Sequence, residues 1–203
     1  QLDDAIGAFT RLTELKPKDA LPFQQLGSMY LLQGDFARAS ENYEKSNALR
    51  PNAESFAGLG TIAYYGERYD EAFRHYQQAA KMQPTIAGHH GNLGDTYQKR
   101  GLKTEAIASY REAIRQGEQA LKINRNDVTT IARLGVYYAK VGEWKVAERH
   151  ANSAARMNPT DPDVLYLKAV TLALIGQRDA AMQQLSDAIK RGYAKHLARE
   201  DDD

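Results

Sequence analysis

Cysteine is missing from all 203 residues, tryptophan occurs once and proline six times. Without thiols the chain can form no disulfide, thiol nucleophile, zinc ribbon or iron–sulfur cluster. It also suits oxidising and reducing compartments alike. An excess of charge is missing too: 27 Lys+Arg stand against 26 Asp+Glu, a formal charge of +1. Nucleic-acid binders and proteins that adsorb to anionic membranes usually show a basic surplus, so neither kind of partner is expected. No run approaches the roughly 18 apolar residues of a helical membrane span, so direct membrane insertion is not expected either. What the chain does hold, 42% hydrophobic and 26% charged residues, is the balance of a globular protein rather than a disordered one.

The organising feature is an internal repeat. Leu-Gly pairs fall at Leu26-Gly27, Leu59-Gly60, Leu93-Gly94 and Leu134-Gly135, with Ala169 in the next glycine position. The steps are 33, 34, 41 and 34. Alanines twelve residues further on, Ala39, Ala72, Ala106, Ala147 and Ala181, repeat that series, and Ala5 stands 34 before Ala39. Each unit reads as two helices. The first carries apolar residues at helical spacing, as in Phe23, Leu26, Gly27 and Tyr30. Gly34, Gly66, Gly101, Gly142 and Gly176 are placed to close the first helices in the left-handed conformation. Pro17, Pro51, Pro84 and Pro159 stop the second helices. Small residues at facing positions let the paired backbones approach. This predicts eleven helices, over 2–15, 20–33, 36–49, 53–66, 69–82, 87–100, 103–124, 128–141, 144–157, 162–175 and 178–191.

The succession Phe23, Leu26-Gly27, Tyr30, Gly34, Phe36, Ala39, Tyr43, Pro51 resembles the tetratricopeptide repeat (TPR) family, and the resemblance covers about 2–191. His90 stands where the family has a large apolar residue, and Arg125 replaces a terminal proline. The last unit departs at Lys168, Leu185 and Tyr193. The resemblance implies an all-α, right-handed superhelical solenoid of antiparallel helix pairs. One array is expected over 1–203: a half repeat 1–19, repeats 20–52, 53–86, 87–127, 128–161 and 162–193, and a short polar tail 194–203. The opening in mid-repeat is expected of a piece of a longer protein.

The step of 41 is 34 plus seven, close to two helical turns. The extra residues therefore lengthen one second helix, 103–124, without turning its buried stripe of Ala106, Tyr110, Ala113, Gly117, Ala120 and Asn124. A longer strut and a protruding docking surface are both open readings. This long helix, the following Asn124-Arg125-Asn126-Asp127 and the late Ala188-Ile189-Lys190-Arg191-Gly192-Tyr193 also resemble carboxy-terminal TPR domains of bacterial signalling proteins. That likeness implies an alternative role, a regulatory or oligomerisation domain of a kinase or transcription regulator. Its groove would be filled by its own chain or by a second copy in a homodimer. A cytoplasmic and a periplasmic location are equally compatible.

Other motifs read as structural. Gly58-Leu59-Gly60-Thr61-Ile62-Ala63 matches a dinucleotide fingerprint, but it falls inside a helix instead of after a strand, so its glycines are expected at packing contacts. His75, His89, His90, His150 and His196 have no metal-ligand spacing. Partial burial is expected for His90 and exposure for the others. Asp201–Asp203 reads as a solvated charge run. No catalytic, cofactor-binding or metal-ligating residue is assigned, and an enzyme is not expected.

Solenoids bind on the concave surface built from one helix of each pair. In the family this is the first helix, and the resemblance carries that role to Gln24, Ser28, Ala57, Thr61, Tyr64, Tyr65, Asn92, Asp95, Lys99, Arg133, Val136, Lys140 and Tyr166. Asn92 and Arg133 match part of a carboxylate-gripping cluster, but Ala57 and Thr61 stand where its Lys and Asn are needed. The expected function is a non-catalytic scaffold that holds a peptide or helix of a protein partner in a mixed, tyrosine-containing groove.

Overall fold

A computed structural model describes residues 2–193. Among them lie eleven helices and no strand: α1 (Leu2–Leu15), α2 (Ala20–Gln33), α3 (Phe36–Leu49), α4 (Ala53–Tyr65), α5 (Tyr69–Met82), α6 (Ala87–Lys99), α7 (Lys103–Ile123), α8 (Val128–Lys140), α9 (Trp144–Met157), α10 (Pro162–Leu174) and α11 (Arg178–Lys190). Each end falls within one residue of the boundary expected from the sequence. The tail 194–203, with His196 and Asp201–Asp203, lies outside the described residues.

The caps explain the boundaries. Asp19, Asn52, Asp127 and Asp161 precede four of the five first helices, and each side chain accepts a backbone N–H of the opening turn. At the other end, Gly34 takes φ 79°. Its N–H donates to Leu31 O and the next N–H, of Asp35, to Tyr30 O, which closes the helix. Gly101, Gly142 and Gly176 adopt the same left-handed backbone.

Gly66 does not. It has φ −84°, and Glu67 takes the left-handed place at φ 57°. The reason is register: Gly34, Gly101, Gly142 and Gly176 stand seven residues after Gly27, Gly94, Gly135 and Ala169, and seven after Gly60 is Glu67. The same two bonds form there, from Glu67 N–H to Tyr64 O and from Arg68 N–H to Ala63 O. Glu67→Gly is therefore expected to raise stability by roughly 0.5–1 kcal/mol by relieving a side chain of the left-handed region. A lower midpoint of chemical denaturation for this variant would contradict that backbone.

The chain divides at the Pro84–Thr85 link into two compact units. In the first, α2 packs on α3 and α4 on α5. Tyr43, with 3% of its surface exposed, is wedged between two bare helix surfaces. A Cβ on Gly27 would lie 2.6 Å from its ring, and one on Gly58 2.3 Å. Gly60 meets the ring of Tyr76 in the same way, at 2.7 Å. The glycines of the apparent dinucleotide motif are thus packing contacts inside α4.

In the second unit Gly94 faces Tyr110, whose ring a Cβ there would meet at 2.4 Å. One repeat on, the tyrosine position holds Ala151, and Gly135 instead meets helix backbone: a Cβ there would lie 3.2 Å from Ala147 O and Ala151 N. The lengthened α7 packs along α8. Gly117 faces Leu134, Leu121 joins two core clusters, and the Tyr138 hydroxyl donates to Glu118 Oε1 at 2.5 Å. The buried stripe follows Ala106, Tyr110, Ala113, Ile114 and Gly117. It continues at half-buried Leu121, while Asn124 caps the helix and is exposed.

Candidate functional site

Stepping the repeat along the first helices assigns each candidate to a row. In the first unit one stripe of α2 carries Leu21, Gln24, Ser28, Leu31 and Leu32, and 33 residues on α4 carries Glu54, Ala57, Thr61, Tyr64 and Tyr65. None of these is buried, and Leu21 and Leu32 are each 49% exposed. Tyr65 is stacked on Phe36 with ring centroids 5.9 Å apart and planes 12° apart. Tyr64 touches Tyr65 and Tyr69 edge-on, at 6.1 and 5.6 Å. Four rings thus hold one another at the carboxy-terminal end of the stripe.

Three candidates are acceptors for core phenols. Tyr43 donates to Ser28 Oγ and Tyr76 to Thr61 Oγ1, each at 3.1 Å, and Tyr110 to Asp95 Oδ1 at 2.7 Å. Where the tyrosine position becomes Ala151 and Leu185, the acceptor position becomes Val136 and Val170. A buried hydroxyl needs a partner, and without the phenol a polar group opposite would need one itself. This pairing lies open in the sequence once both rows are stepped together.

The second unit presents a different face. Gly91, Ala132, Val136 and Tyr166, in the rows that are open in the first unit, are buried. The ring of Tyr137 lies against Gly91, where a Cβ would be 2.5 Å away, and the Arg133 guanidinium lies over Gly88, where a Cβ would be 2.7 Å away. Glycine on α6 thus leaves room for the Tyr137 and Arg133 side chains of α8. Burial pushes the Tyr137 phenol up to about 12, so it stays protonated. Lys140 forms an ion pair with Asp95 across the two helices and stands 5.1 Å over the Tyr110 ring. Tyr166 is covered by Tyr193, stacked at 4.0 Å and 13°.

Two placements differ from the sequence reading. Val136 and Tyr166 are core residues here, not surface ones, because α8 and α10 pack against their neighbours at these rows. Asn92 and Arg133 also stand one residue off the stripe, about 100° round the helix, in the row of Gln25 and Gly58. Asn92 is half-buried, whereas Arg133 and Lys99 are exposed. Leu21, Leu32 and Phe36 join the candidates, each standing 33 residues before Glu54, Tyr65 and Tyr69 in turn.

The histidines are rearranged as well. His89 is the buried one, in the row of Pro22, Ser55 and Val164, while His90, His75 and His150 are half-buried. His150 stacks on Tyr138 at 5.3 Å, and burial lowers the pKa of both His75 and His150. Among the described residues no three His, Asp or Glu side chains gather as a metal-binding group, and no helix is long and apolar enough to cross a membrane.

Antiparallel helix pairs at a fixed period, with a first-helix face turned outward, define a helical-repeat protein. Family models described as tetratricopeptide repeat match residues 22–52, 57–120 and 133–195, and the chain belongs to that family. It is similar to the tetratricopeptide repeat-containing protein trd-1 of Caenorhabditis elegans, 23% identical over 197 residues, which are 95% of this chain and 24% of that protein. Across the curated relatives it matches, the chain spans between 11% and 29% of their length. Among solved structures, a thermophilic TPR protein of Thermus thermophilus, TTC0263, superimposes with a TM-score of 0.61 at 18% identity, over 88% of this chain and 98% of that one. YrrB, described as a TPR protein with an unusual peptide-binding site, gives 0.52 at 23% identity, over 94% and 95%. The fold is the all-α TPR solenoid fold.

Proposed function

We propose that the chain is a non-catalytic scaffold that binds a protein partner on the outward faces of its first helices. TPR domains generally act as protein-interaction scaffolds. The observation that carries the reading here is the pair of stripes on α2 and α4. They leave Leu21 and Leu32 exposed and Tyr64 and Tyr65 half-buried, and between them the row of Gln24 and Ala57 stays accessible where Gly91, Ala132 and Tyr166 of the second unit are buried. Tyrosine buries much area at low entropy cost and is common among binding hot spots. The near-zero net charge supports a protein partner over a nucleic acid.

The test starts from a partner recovered by pull-down from the source cell and identified by mass spectrometry. Tyr65→Ala combined with Leu32→Ala should weaken its binding by about 2 kcal/mol or more, with helicity unchanged. Lys45→Ala with Arg111→Ala, exposed positions on second helices, should change affinity little. The opposite ranking would move the binding surface off the first helices.

A further inference from the structure

We propose that the first unit, which ends at Pro84, opens as one block while the second, which begins at Thr85, stays folded. A repeat array shares its stability between neighbours, and a repeat that offers its neighbours little apolar surface ends a cooperative block. Helix α6 is such a place. Glycine aside, Ala87, Leu93 and Tyr97 are the apolar residues among its 13, whereas α8, equally long, has eight. Its core rows have turned polar: His90 stands in the row of Phe56 and Ile131, and Thr96 in the row of Ile62 and Tyr137. Leu93 is half-buried, although Leu26, Leu59 and Leu134 of the same row are buried.

Each unit has a core of its own. Ala39, Tyr43, Leu59 and Ile62 form a cluster in the first. In the second, Leu121 of the lengthened α7 joins the cluster around Tyr110 and Leu134 to the one around Ile131 and Val164. The first block is the weaker, for three reasons that all lie within it. Helix α1 has no buried residue. Asn47 Nδ2 and Ser55 Oγ are buried without a hydrogen-bond partner in the protein, so each keeps its desolvation cost. Glu67 holds a left-handed backbone, where the second unit has glycine at Gly101, Gly142, Gly176 and Gly192. Elements that move for binding are drawn from the low-stability end of a protein. The α2–α4 face belongs to this block, so opening removes that face and closing restores it.

Hydrogen exchange of the full chain, read by mass spectrometry at rising urea, tests this. The amides of α1–α5 should lose protection together, at about 1 M less urea than those of α6–α11, and far-UV circular dichroism should fall in two steps. Gly60→Ala, a change in the first unit, should move the α1–α5 step to lower urea and leave the α6–α11 step within about 0.2 M of its place. If that variant is open even without urea, an unmoved α6–α11 step supports the proposal equally. Gly135→Leu, in the second unit, should do the reverse: the α6–α11 step falls and the α1–α5 step keeps its place. A single step shared by all eleven helices, a first step in α6–α11, or a shift of both steps by either variant would overturn the proposal.

Discussion

Gly135→Leu is expected to destabilise the chain by about 3 kcal/mol, the upper end of what overpacking a tight contact usually does. A Cβ at Gly135 would stand 3.2 Å from Ala147 O, Ala151 N and Thr171 Oγ1. Two of these are backbone atoms of α9, which no change of rotamer can move aside. Relief comes only by separating α8 from α9, and that opens a contact where Ala147 is fully buried and Ala151 is 1% exposed. Gly94→Leu, whose Cβ would stand 2.4 Å from the ring of Tyr110, itself 2% exposed, and Ala106→Leu should each cost about 1–3 kcal/mol by overpacking as well. Chemical denaturation ranks the three variants. An unchanged midpoint for Gly135→Leu would mean that α8 and α9 are not this close.

Gly60→Ala should cost about 2 kcal/mol, and the triple change Gly60→Ala, Thr61→Val and Tyr76→Leu should recover most of it. The single variant drives a methyl to 2.7 Å from the Tyr76 ring, whose hydroxyl is tied to Thr61 at 3.1 Å. The triple variant copies the residues that the last repeat holds in the same rows, Ala169, Val170 and Leu185. Removing the ring makes room for the methyl, and removing the phenol together with its acceptor leaves neither polar group stranded. The three changes touch one another, so their effects should not add. A triple variant as unstable as the sum of the three single ones would show that ring, glycine and acceptor do not work as a set.

The helices were legible because three signals coincide in each repeat. These are an Asp or Asn cap before most first helices, a glycine after them, and small residues at a constant phase. Gly66 stands at the end of α4 but one residue short of the register position, which Glu67 fills. The candidate site was legible only in part. Its rows follow from the repeat, and a one-residue slip at Asn92 put that residue and Arg133 on the stripe. Whether a row is open depends on which side chains of the neighbouring helix lie over it. In the second unit Gly88 and Gly91 admit Arg133 and Tyr137, whose side chains cover the row. Glycine in a repeat row reads equally well as a gap and as a contact until the side chain opposite is known.

The central claim is that a partner protein sits on the first-helix face of the first unit. Its most direct test is site-specific photo-crosslinking in the source cell. A photoreactive phenylalanine analogue is placed at Leu32, 49% exposed on α2, or at Lys45, exposed on α3. The account predicts a discrete cross-linked protein from position 32 and none from position 45. Cross-linking from position 45 alone, or from neither position, would contradict it.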